Sequence, residues 1–275
     1  MAHADSLAAY WTQCTSTVDR DDAMSVNDLA WKLLPWPMLA RIAFWRKYWL
    51  YGEWEMRELR RLLPDRPGLV VDVGANRGYY SYALRRLGRR VISFEPDRAY
   101  QKRLQALLGS QGRIEMVALS SNAGIGVMRV PYVGGAYGGS LGSLSDLAVP
   151  DEAVSSCYQV ELSTLDSYGL DDVAFIKIDV EGHEESVLAG ANNTLIRAKP
   201  VLLIEIEERH NPGGLDRIAT KLSHLGYSGS FFYERKKFAL SQFVPEVHQV
   251  AERVTVGETN RRDLKYVNNF VFKVT

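Results

Sequence analysis

The stretch VVDVGANRGYY, from Val70 to Tyr80, decides how this chain folds. It opens with an apolar run and then carries two glycines four positions apart, Gly74 and Gly78. A short apolar run of this kind predicts a buried strand, and glycine permits the tight turn that follows it. The turn directs the N-terminus of the next helix into the crevice at the end of the strand. The sequence therefore predicts a strand, a glycine turn and a helix in succession.

The same order recurs along the chain. Apolar runs bounded by glycine or acidic residues predict the buried strands LVVDVG, VISFEP, RIEMVAL, AFIKIDV and PVLLIEIE. Segments that end at glycine or precede the next strand predict the helices NRGYYSYALRRLG, DRAYQKRLQALLG, EESVLAGANNTLIRA and GLDRIATKLSHLG. This alternation predicts an α/β fold with a doubly wound parallel sheet, which binds ligands beyond the carboxyl ends of its strands. YSGSFFYERKKFAL and NNFVFKV predict a pair of strands that closes one edge.

The composition excludes several classes of function. The 275 residues include 33 basic and 33 acidic side chains, so the net charge is zero and no overall positive field attracts nucleic acid. The N-terminus lacks a basic region followed by an apolar run, and no apolar stretch approaches the length of a membrane span. We therefore expect a cytoplasmic protein that has no nucleic-acid partner.

An acidic residue ends the second predicted strand. Glu95 stands 21 residues after Gly74, where a carboxylate can accept hydrogen bonds from both hydroxyls of a ribose. Ordinary turn glycines and a solvated strand end would explain either feature alone. Together, on consecutive strands, they predict a nucleoside ligand. The turn reads D-x-G-x-x-x-G and has no second early glycine to admit a pyrophosphate, which favours S-adenosylmethionine over NAD.

Three parts of the chain resemble the FkbM family of class I S-adenosylmethionine-dependent methyltransferases. They are VVDVGANRGYYSYAL, FEPD with VALSSNAG, and FIKIDVEGHEESVLAGA with LLIEIEE. The resemblance extends from about residue 52 to the C-terminus. It implies a Rossmann-like, doubly wound sheet of seven strands with the last one antiparallel. It also implies methyl transfer to a hydroxyl of a sugar, a glycan or a polyketide-type natural product.

The resemblance also assigns residues to the cofactor. The methionine end would lie against Asp72, Gly74, Asn76 and Gly78, the ribose against Glu95, and the adenine beside Ala118. Tyr80, Pro96 and Asp179 complete the expected cofactor contacts. VALSSN departs from the family pattern, because Ser121 stands where an acidic residue is common.

A cluster of ionisable residues follows the fourth strand and faces another after the fifth. IKIDVEGHEE contains Asp179, Glu181 and His183, and IEIEERH contains Glu205 and His210. Methyl transfer to an alcohol needs an aligned acceptor and a base that takes its proton. We expect His183 to be that base, with Asp179 and Glu205 arranging the base or the acceptor.

Other interpretations of this cluster remain open. Glu184 and Glu185 open a helix, where acids stabilise the helix dipole. His210 is also typical of an ordinary loop histidine. Asp179, Glu181 and Glu205 could instead bind a divalent metal, because hard cations take oxygen ligands. Lys177 alternates with isoleucines, which is typical of a strand residue that reaches solvent or an acid.

The N-terminal region differs in composition from the rest. We expect residues 1–67 to form a helical, tryptophan-rich extension and residues 68–275 the methyltransferase domain, with a glycine-rich insertion near 131–150. WKLLPWPMLARIAFWRKYWLYGEWEMRELRRLL holds five of the six tryptophans with basic residues interleaved. It could pack on the sheet, cover the substrate or form a dimer contact, or lie on a membrane or lipid-linked acceptor. We expect this segment and the insertion to border the acceptor pocket.

Two other functions compete with the methyltransferase. A nucleotide-sugar or NAD-dependent Rossmann enzyme would need a phosphate-binding G-x-G, which the sequence lacks. A methyltransferase fold that has lost catalysis could serve as a binding module, although Asp72, Gly74, Glu95 and Asp179 are all in place. The predicted partner is a small molecule or glycan with a free hydroxyl.

Overall fold

The computed structural model describes residues 35–51, 53–133, 136–137, 142–145, 154–250 and 264–274. The helices are α1 Trp36–Arg46, α2 Trp54–Leu62, α3 Tyr79–Arg86, α4 Gln101–Leu108, α5 Glu184–Ala189, α6 Asn192–Ala198, α7 Gly214–His224 and α8 Pro245–His248. The strands are β1 Leu69–Val73, β2 Arg90–Phe94, β3 Arg113–Glu115, β4 Ala118–Leu119, β5 Gly124–Val133, β6 Ala136–Tyr137, β7 Val154–Ser163, β8 Val173–Ile178, β9 Val201–Glu205, β10 Tyr227–Tyr233, β11 Lys236–Ala239 and β12 Asn269–Val274.

The larger sheet confirms the predicted doubly wound α/β fold. Its strand order is β11-β10-β12-β9-β8-β1-β2-β3, and the five strands from β9 to β3 are parallel. All five residues of β1 and all six of β8 are buried, as expected for central strands covered on both faces. The chain leaves β1 in one direction toward β2 and returns on the other side as β8. The carboxyl ends of β1 and β8 therefore form the switch point at which such sheets bind ligands.

The large sheet has eight strands, and the prediction of seven was wrong by one. The final strand β12 is antiparallel to both neighbours, as the resemblance implied, and it lies inside the sheet between β9 and β10. The extra strand arises because YSGSFFYERKKFAL folds into the β10–β11 hairpin. Its turn places Glu234 and Arg235 at φ 47° and 66°, a conformation usually signalled by asparagine or glycine. Because neither asparagine nor glycine stands at this turn, the sequence did not indicate the hairpin.

Helices cover both faces of this sheet, as alternation along β1 requires. Val71 faces a core formed with α5, α6 and α7, whereas Val70 faces α1, α2 and α3. On the second face, Phe44 from α1 and Leu59 from α2 are almost completely buried. The helical N-terminal segment is confirmed for its described part, residues 35–51 and 53–67, and one side of it packs on the sheet. Residues 1–34 of the predicted extension lie outside the described residues. Within the described residues, every helix is too short or too polar to cross a bilayer.

A second, smaller sheet has the order β4-β7-β5-β6. The predicted strand RIEMVAL is divided, because β3 stays in the large sheet while β4 pairs with β7. The two extra strands predicted around the glycine-rich segment are β5 and β7, which are antiparallel. Residues 134–135, 138–141 and 146–150 of the glycine-rich insertion lie outside the described residues. The prediction that it borders the acceptor pocket therefore stays a prediction.

The carboxyl end of β1 approaches β8 very closely at Gly74. Gly74 has φ 75°, and a Cβ at this position would lie 1.8 Å from the carbonyl oxygen of Asp179. The sequence alone explains this glycine by the tight turn that follows the strand. The structure gives a different reason, because the neighbouring backbone already occupies the space of a side chain.

We predict that Gly74→Ala destabilises the protein by more than about 3 kcal/mol, since a left-handed backbone and a clash with backbone atoms combine. Gly88→Ala is the matched control, because Gly88 has a similar φ of 79° but no atom within 4 Å of the point that a Cβ would occupy. That change should cost only about 1–2 kcal/mol. Urea unfolding measures both, and equal losses would contradict the close approach at Gly74.

Candidate functional site

The turn after β1 is fixed to the end of β2. The backbone N–H groups of Gly74 and Ala75 both donate to the carbonyl oxygen of Phe94, each at 3.0 Å. Asn76 follows in the left-handed region with φ 47°, and Gly78 is the N-cap residue of α3. Asn76 N–H donates to the Oε2 atom of Glu95 at 2.6 Å. The glycine turn and Glu95 are therefore one rigid unit at the switch point.

Glu95 is buried at this edge with both carboxylate oxygens oriented. Its Oε1 atom accepts a second hydrogen bond from the backbone N–H of Asp97 at 2.8 Å. Burial raises the pKa of Glu95 to about 8, although these two backbone donors favour the ionised form. Each carboxylate oxygen can accept more than one hydrogen bond, so the group can still accept from a diol. The predicted ribose contact is compatible with this geometry and stays a prediction.

The structure places other predicted cofactor residues at different depths. Asp72 lies beneath α3, where it accepts a hydrogen bond from Ser81 Oγ at 2.5 Å, and burial raises its pKa to about 6. The hydroxyl of Tyr80 donates to Glu53 inside the protein. Ala118 belongs to the small sheet and packs in its apolar cluster, and Pro96 is half-buried beside Glu95. Asp72 and Tyr80 therefore support the turn from below.

Lys177 is completely buried at the carboxyl end of β8. Its Nζ atom lies 3.6 Å from Asp179 Oδ2 and 3.7 Å from Glu205 Oε2, and it donates to the carbonyl oxygen of Ile178 at 3.2 Å. Burial lowers the pKa of Lys177, but nearby carboxylates more than offset this effect, so the net shift is upward. The side chain is an ammonium that pairs with acids. Of the two interpretations of Lys177, the one that pairs it with an acid is confirmed.

The N-terminal segment contributes a carboxylate to the same network. Glu53, at the start of α2, accepts hydrogen bonds from Tyr80 and from Asn269 Nδ2, the latter at 3.3 Å. Asn268 donates to Glu205 on the other side. Glu53 and the two asparagines were not predicted from the sequence. Two signals were present, since Glu53 is the first acid after an acid-free stretch and the asparagines open a strongly apolar strand.

The two histidines of the site have different partners. His183 Nε2 lies 3.0 Å from Ser120 Oγ, and burial lowers the pKa of His183, which keeps it neutral at neutral pH. His210 lies in a turn, and its Nδ1 atom is 3.0 Å from Glu181 Oε2, so it contacts an acid of the site. The backbone of Glu181 has φ 48°, and its carbonyl oxygen accepts a hydrogen bond from Ser143 Oγ at 2.5 Å. Each histidine is held by one neighbour at the carboxyl edge of the sheet.

In the part of the chain that the structure describes, no group of three or more histidine, cysteine, aspartate or glutamate side chains is arranged to bind a metal ion. The ammonium of Lys177 contacts both Asp179 and Glu205, and Glu181 contacts His210 instead. The proposed three carboxylates therefore have other partners. The predicted catalytic group of His183, Asp179 and Glu205 is likewise divided, because its two acids share Lys177 while His183 contacts Ser120.

Negative charge exceeds positive charge at this edge. Burial, together with the nearby carboxylates of Glu181 and Asp179, raises the pKa of Glu184 to about 7. Glu184 Oε1 accepts from the N–H of Gly182 at 2.8 Å, whereas the half-buried Glu185 accepts from Arg217. The carboxylates of this edge are Asp72, Asp179, Glu181, Glu184 and Glu205, and Lys177 is the cation paired with two of them. An edge with this charge suits a cationic ligand.

Residues 72–228, more than half of the chain, match the family described as methyltransferase FkbM domain. The chain belongs to the FkbM methyltransferase family. The match includes the turn after β1, Glu95 and the IKIDVEGHEE segment, which are the parts on which the resemblance depended. The methyl donor that such a family implies is S-adenosylmethionine. Comparison with curated protein sequences gives no match.

Solved methyltransferase structures are similar to this chain at low identity. The methyltransferase FkbM of Methylobacillus flagellatus KT is 17% identical over 85% of this chain and 59% of its own, with a TM-score of 0.47. An rRNA methylase of Streptococcus thermophilus is 12% identical over 80% and 95%, with a TM-score of 0.43. Precorrin-6y C5,15-methyltransferase of Geobacter metallireducens GS-15 is 11% identical over 82% and 91%, with a TM-score of 0.42. This chain thus spans less than two thirds of the FkbM structure that it matches.

We predict that Lys177→Met destabilises the protein by about 3–5 kcal/mol, because it leaves buried carboxylates without their cation. Urea unfolding at pH 8 measures the loss, which should become smaller at pH 5 as the carboxylates take up protons. Arg61→Ala is the control, because Arg61 forms an exposed pair with Glu58. Its loss should stay below about 1 kcal/mol. A Lys177→Met protein as stable as the native one would contradict the role of the ammonium.

Proposed function

We propose that the protein is an S-adenosylmethionine-dependent O-methyltransferase. Its acceptor is a hydroxyl of a sugar, a glycan or a polyketide-type natural product. The observation that carries the proposal is the buried carboxylate of Glu95, which backbone N–H groups of Asn76 and Asp97 orient beside the glycine turn. Membership of the FkbM family supplies the reaction class.

The residues at the carboxyl edge fit this cofactor. S-adenosylmethionine supplies an electrophilic methyl group on a sulfonium and also carries an α-ammonium. Glu95 would accept hydrogen bonds from the two ribose hydroxyls, with Pro96 and Ala118 on the adenine side. The turn from Gly74 to Gly78 would hold the methionine end. The excess of carboxylates at this edge, including Asp179 and Glu184, favours the two positive charges.

We propose His183 as the residue that takes the acceptor proton. Its lowered pKa keeps the imidazole neutral and able to accept a proton at neutral pH. Asp179 and Glu205 are weaker candidates, because each carboxylate is already paired with the ammonium of Lys177. Their part in the reaction would be to position the base or the acceptor. S-adenosylmethionine would supply the methyl group and leave as S-adenosylhomocysteine when its sulfur–methyl bond breaks. The imidazole nitrogen of His183 would take the hydroxyl proton as the oxygen–methyl bond forms.

One observation supports a second histidine as the base. His210 Nδ1 lies 3.0 Å from the Oε2 atom of Glu181, and a carboxylate in this position orients the imidazole. Both histidines lie after strands that end at the switch point. Single variants of the two residues distinguish these assignments.

The charge at the site also supports a neutral acceptor. Nucleic-acid backbones bind through lysine and arginine contacts to phosphates. The candidate site offers carboxylates instead, which repel a polyanion. A hydroxylated sugar or natural product carries no such charge. The proposal is tested with the isotopically labelled cofactor and pools of hydroxylated sugars, glycans and polyketide-type compounds, in which mass spectrometry detects the added methyl group.

We predict that Glu95→Ala weakens binding of S-adenosylhomocysteine, the demethylated product, by about 30-fold or more. Loss of two hydrogen bonds to a charged group is worth about 2–4 kcal/mol. Native affinity should also rise with pH through about 8, because hydroxyl donors favour the ionised carboxylate over the protonated form that burial stabilises. In the Glu95→Ala protein this rise of affinity with pH should be absent. Any pH dependence that comes from the ligand's own amino group should remain.

Isothermal titration calorimetry from pH 6 to pH 9 measures both effects. Glu115→Ala is the matched control, since Glu115 ends the neighbouring strand β3 and pairs with Arg113 near the surface. Unchanged affinity in a folded Glu95→Ala protein would remove the ribose assignment.

We predict that His183→Ala binds the cofactor normally but transfers methyl groups about 10²–10⁴-fold more slowly, the usual contribution of a positioned base. The native rate should fall with acid only below about pH 6.5, because burial lowers the pKa of His183 below its ordinary value. The variant should lose this acidic limb. Single-turnover rates on the acceptor found by mass spectrometry measure both quantities. A slow His210→Ala protein beside a near-normal His183→Ala protein would move the base to the Glu181–His210 pair.

A further inference from the structure

Helix α1 and the turn of π-helix that follows it, Lys47–Tyr51, are apolar on two opposite sides. The inner side buries Ala40 and Phe44 against the sheet and its helices. The outer side leaves Met38, Ile42, Trp45 and Trp49 between 38% and 64% exposed. Their spacing of four, three and four residues places these side chains on one line along the helix. We call these four residues the outer stripe.

The surroundings of the outer stripe are basic. Arg41 and Arg46 are exposed, and the helical repeat places them on the two flanks of the stripe. The guanidinium of Arg86, from α3, lies 5.5 Å from the centre of the Trp45 ring. No acidic residue occurs from position 35 to position 52, and the side chain of Glu53 is buried in the Lys177 network. The surface therefore combines exposed aromatic and aliphatic side chains with basic side chains.

This combination fits one kind of partner. Tryptophan is favoured at the boundary between headgroups and acyl chains, and arginine can bury its stem there while its guanidinium meets lipid phosphates. A helix lying in this boundary inserts its apolar side and places its basic residues at the level of the headgroups. Each basic residue near an anionic leaflet adds to the attraction.

A second copy of the chain fits less well. A symmetric dimer across the outer stripe would bring Arg41 and Arg46 near their own counterparts, and no acid on α1 would compensate them. Burying the tryptophans in such an interface would therefore set like charges against each other. An anionic surface offers the opposite charge along the whole length of the stripe.

We propose that the outer stripe and its flanking arginines dock the protein on the surface of an anionic membrane. The helix lies parallel to the bilayer, inserts the stripe to the depth of the headgroups and does not cross. This inference is independent of the proposed methyl transfer, since it depends only on α1 and its neighbours.

Sedimentation with lipid vesicles tests the proposal on the full chain. Vesicles of phosphatidylcholine with phosphatidylglycerol should carry the protein down, and vesicles of phosphatidylcholine alone should bind it much more weakly. Binding should fall as salt is raised to 1 M, where charges are screened over about 3 Å. The absence of binding to anionic vesicles by the native protein would overturn the proposal.

Two double variants separate the apolar and the basic contributions. Met38→Ser with Trp49→Ser should weaken binding to anionic vesicles by at least about tenfold, because exposed apolar area is lost. Arg41→Glu with Arg46→Glu should remove the preference for phosphatidylglycerol, since each cation contributes several-fold. All four side chains are exposed, so circular dichroism should show an unchanged fold.

Matched changes on other surfaces serve as controls. Ile196→Ser removes an equally exposed apolar residue from α6, on the opposite face of the sheet, and Lys236→Glu with Lys237→Glu makes the same change in net charge on β11. These variants should bind vesicles within about twofold of the native protein. Equal losses from the controls would overturn the proposal. A different result would also overturn the proposal. In it, light scattering shows that the native protein is a dimer, the variant with Trp49→Ser is a monomer, and the native protein does not bind vesicles.

Discussion

The buried ammonium of Lys177 is the interaction on which the carboxyl edge of the sheet depends. It lies between Asp179, after β8, and Glu205, at the end of β9, and over the ring of Tyr80 from α3 at 5.2 Å. The carboxylates of Glu53 and Asp72 also favour its charged form. Paired carboxylates in a buried position are stable only with such a cation. One side chain thus links the sheet, α3 and the N-terminal helices at the place where a ligand would bind.

Local patterns were sufficient for most of the fold. The strands around the switch point were predictable, because long apolar runs and glycine stops depend on a few neighbouring residues. The β10–β11 hairpin was not, because its turn uses Glu234 and Arg235 in left-handed conformations that the sequence does not signal. The departure of β4 into the small sheet was missed for a related reason. It depends on pairing with β7, about forty residues later in the chain, and not on its own composition.

The sequence was sufficient to predict which residues gather at the site but not which of them contact one another. The sequence indicated that acids and histidines would gather after the fourth and fifth strands. It could not indicate that Glu181 contacts His210 while His183 contacts Ser120, since both pairs join separate segments. The contact between Glu53 and Asn269 spans 216 positions. Gly74 illustrates the same limit. The space that a Cβ at this position would need is taken by the carbonyl oxygen of Asp179, which follows a strand that is distant in the sequence.

The position of Glu53 has a consequence for how such chains can diverge. This residue lies in the N-terminal segment, yet its carboxylate shares a buried network with Tyr80, Asn269 and Lys177. An N-terminal segment from a relative could be exchanged for this one only if it supplied an acid at the same point. Otherwise residue 177 or its other partners would have to change together with the segment. The N-terminal helices and the sheet are therefore expected to vary as a matched pair, with the residue that precedes α2 constrained by the network and the outer side of α1 answering to a separate constraint.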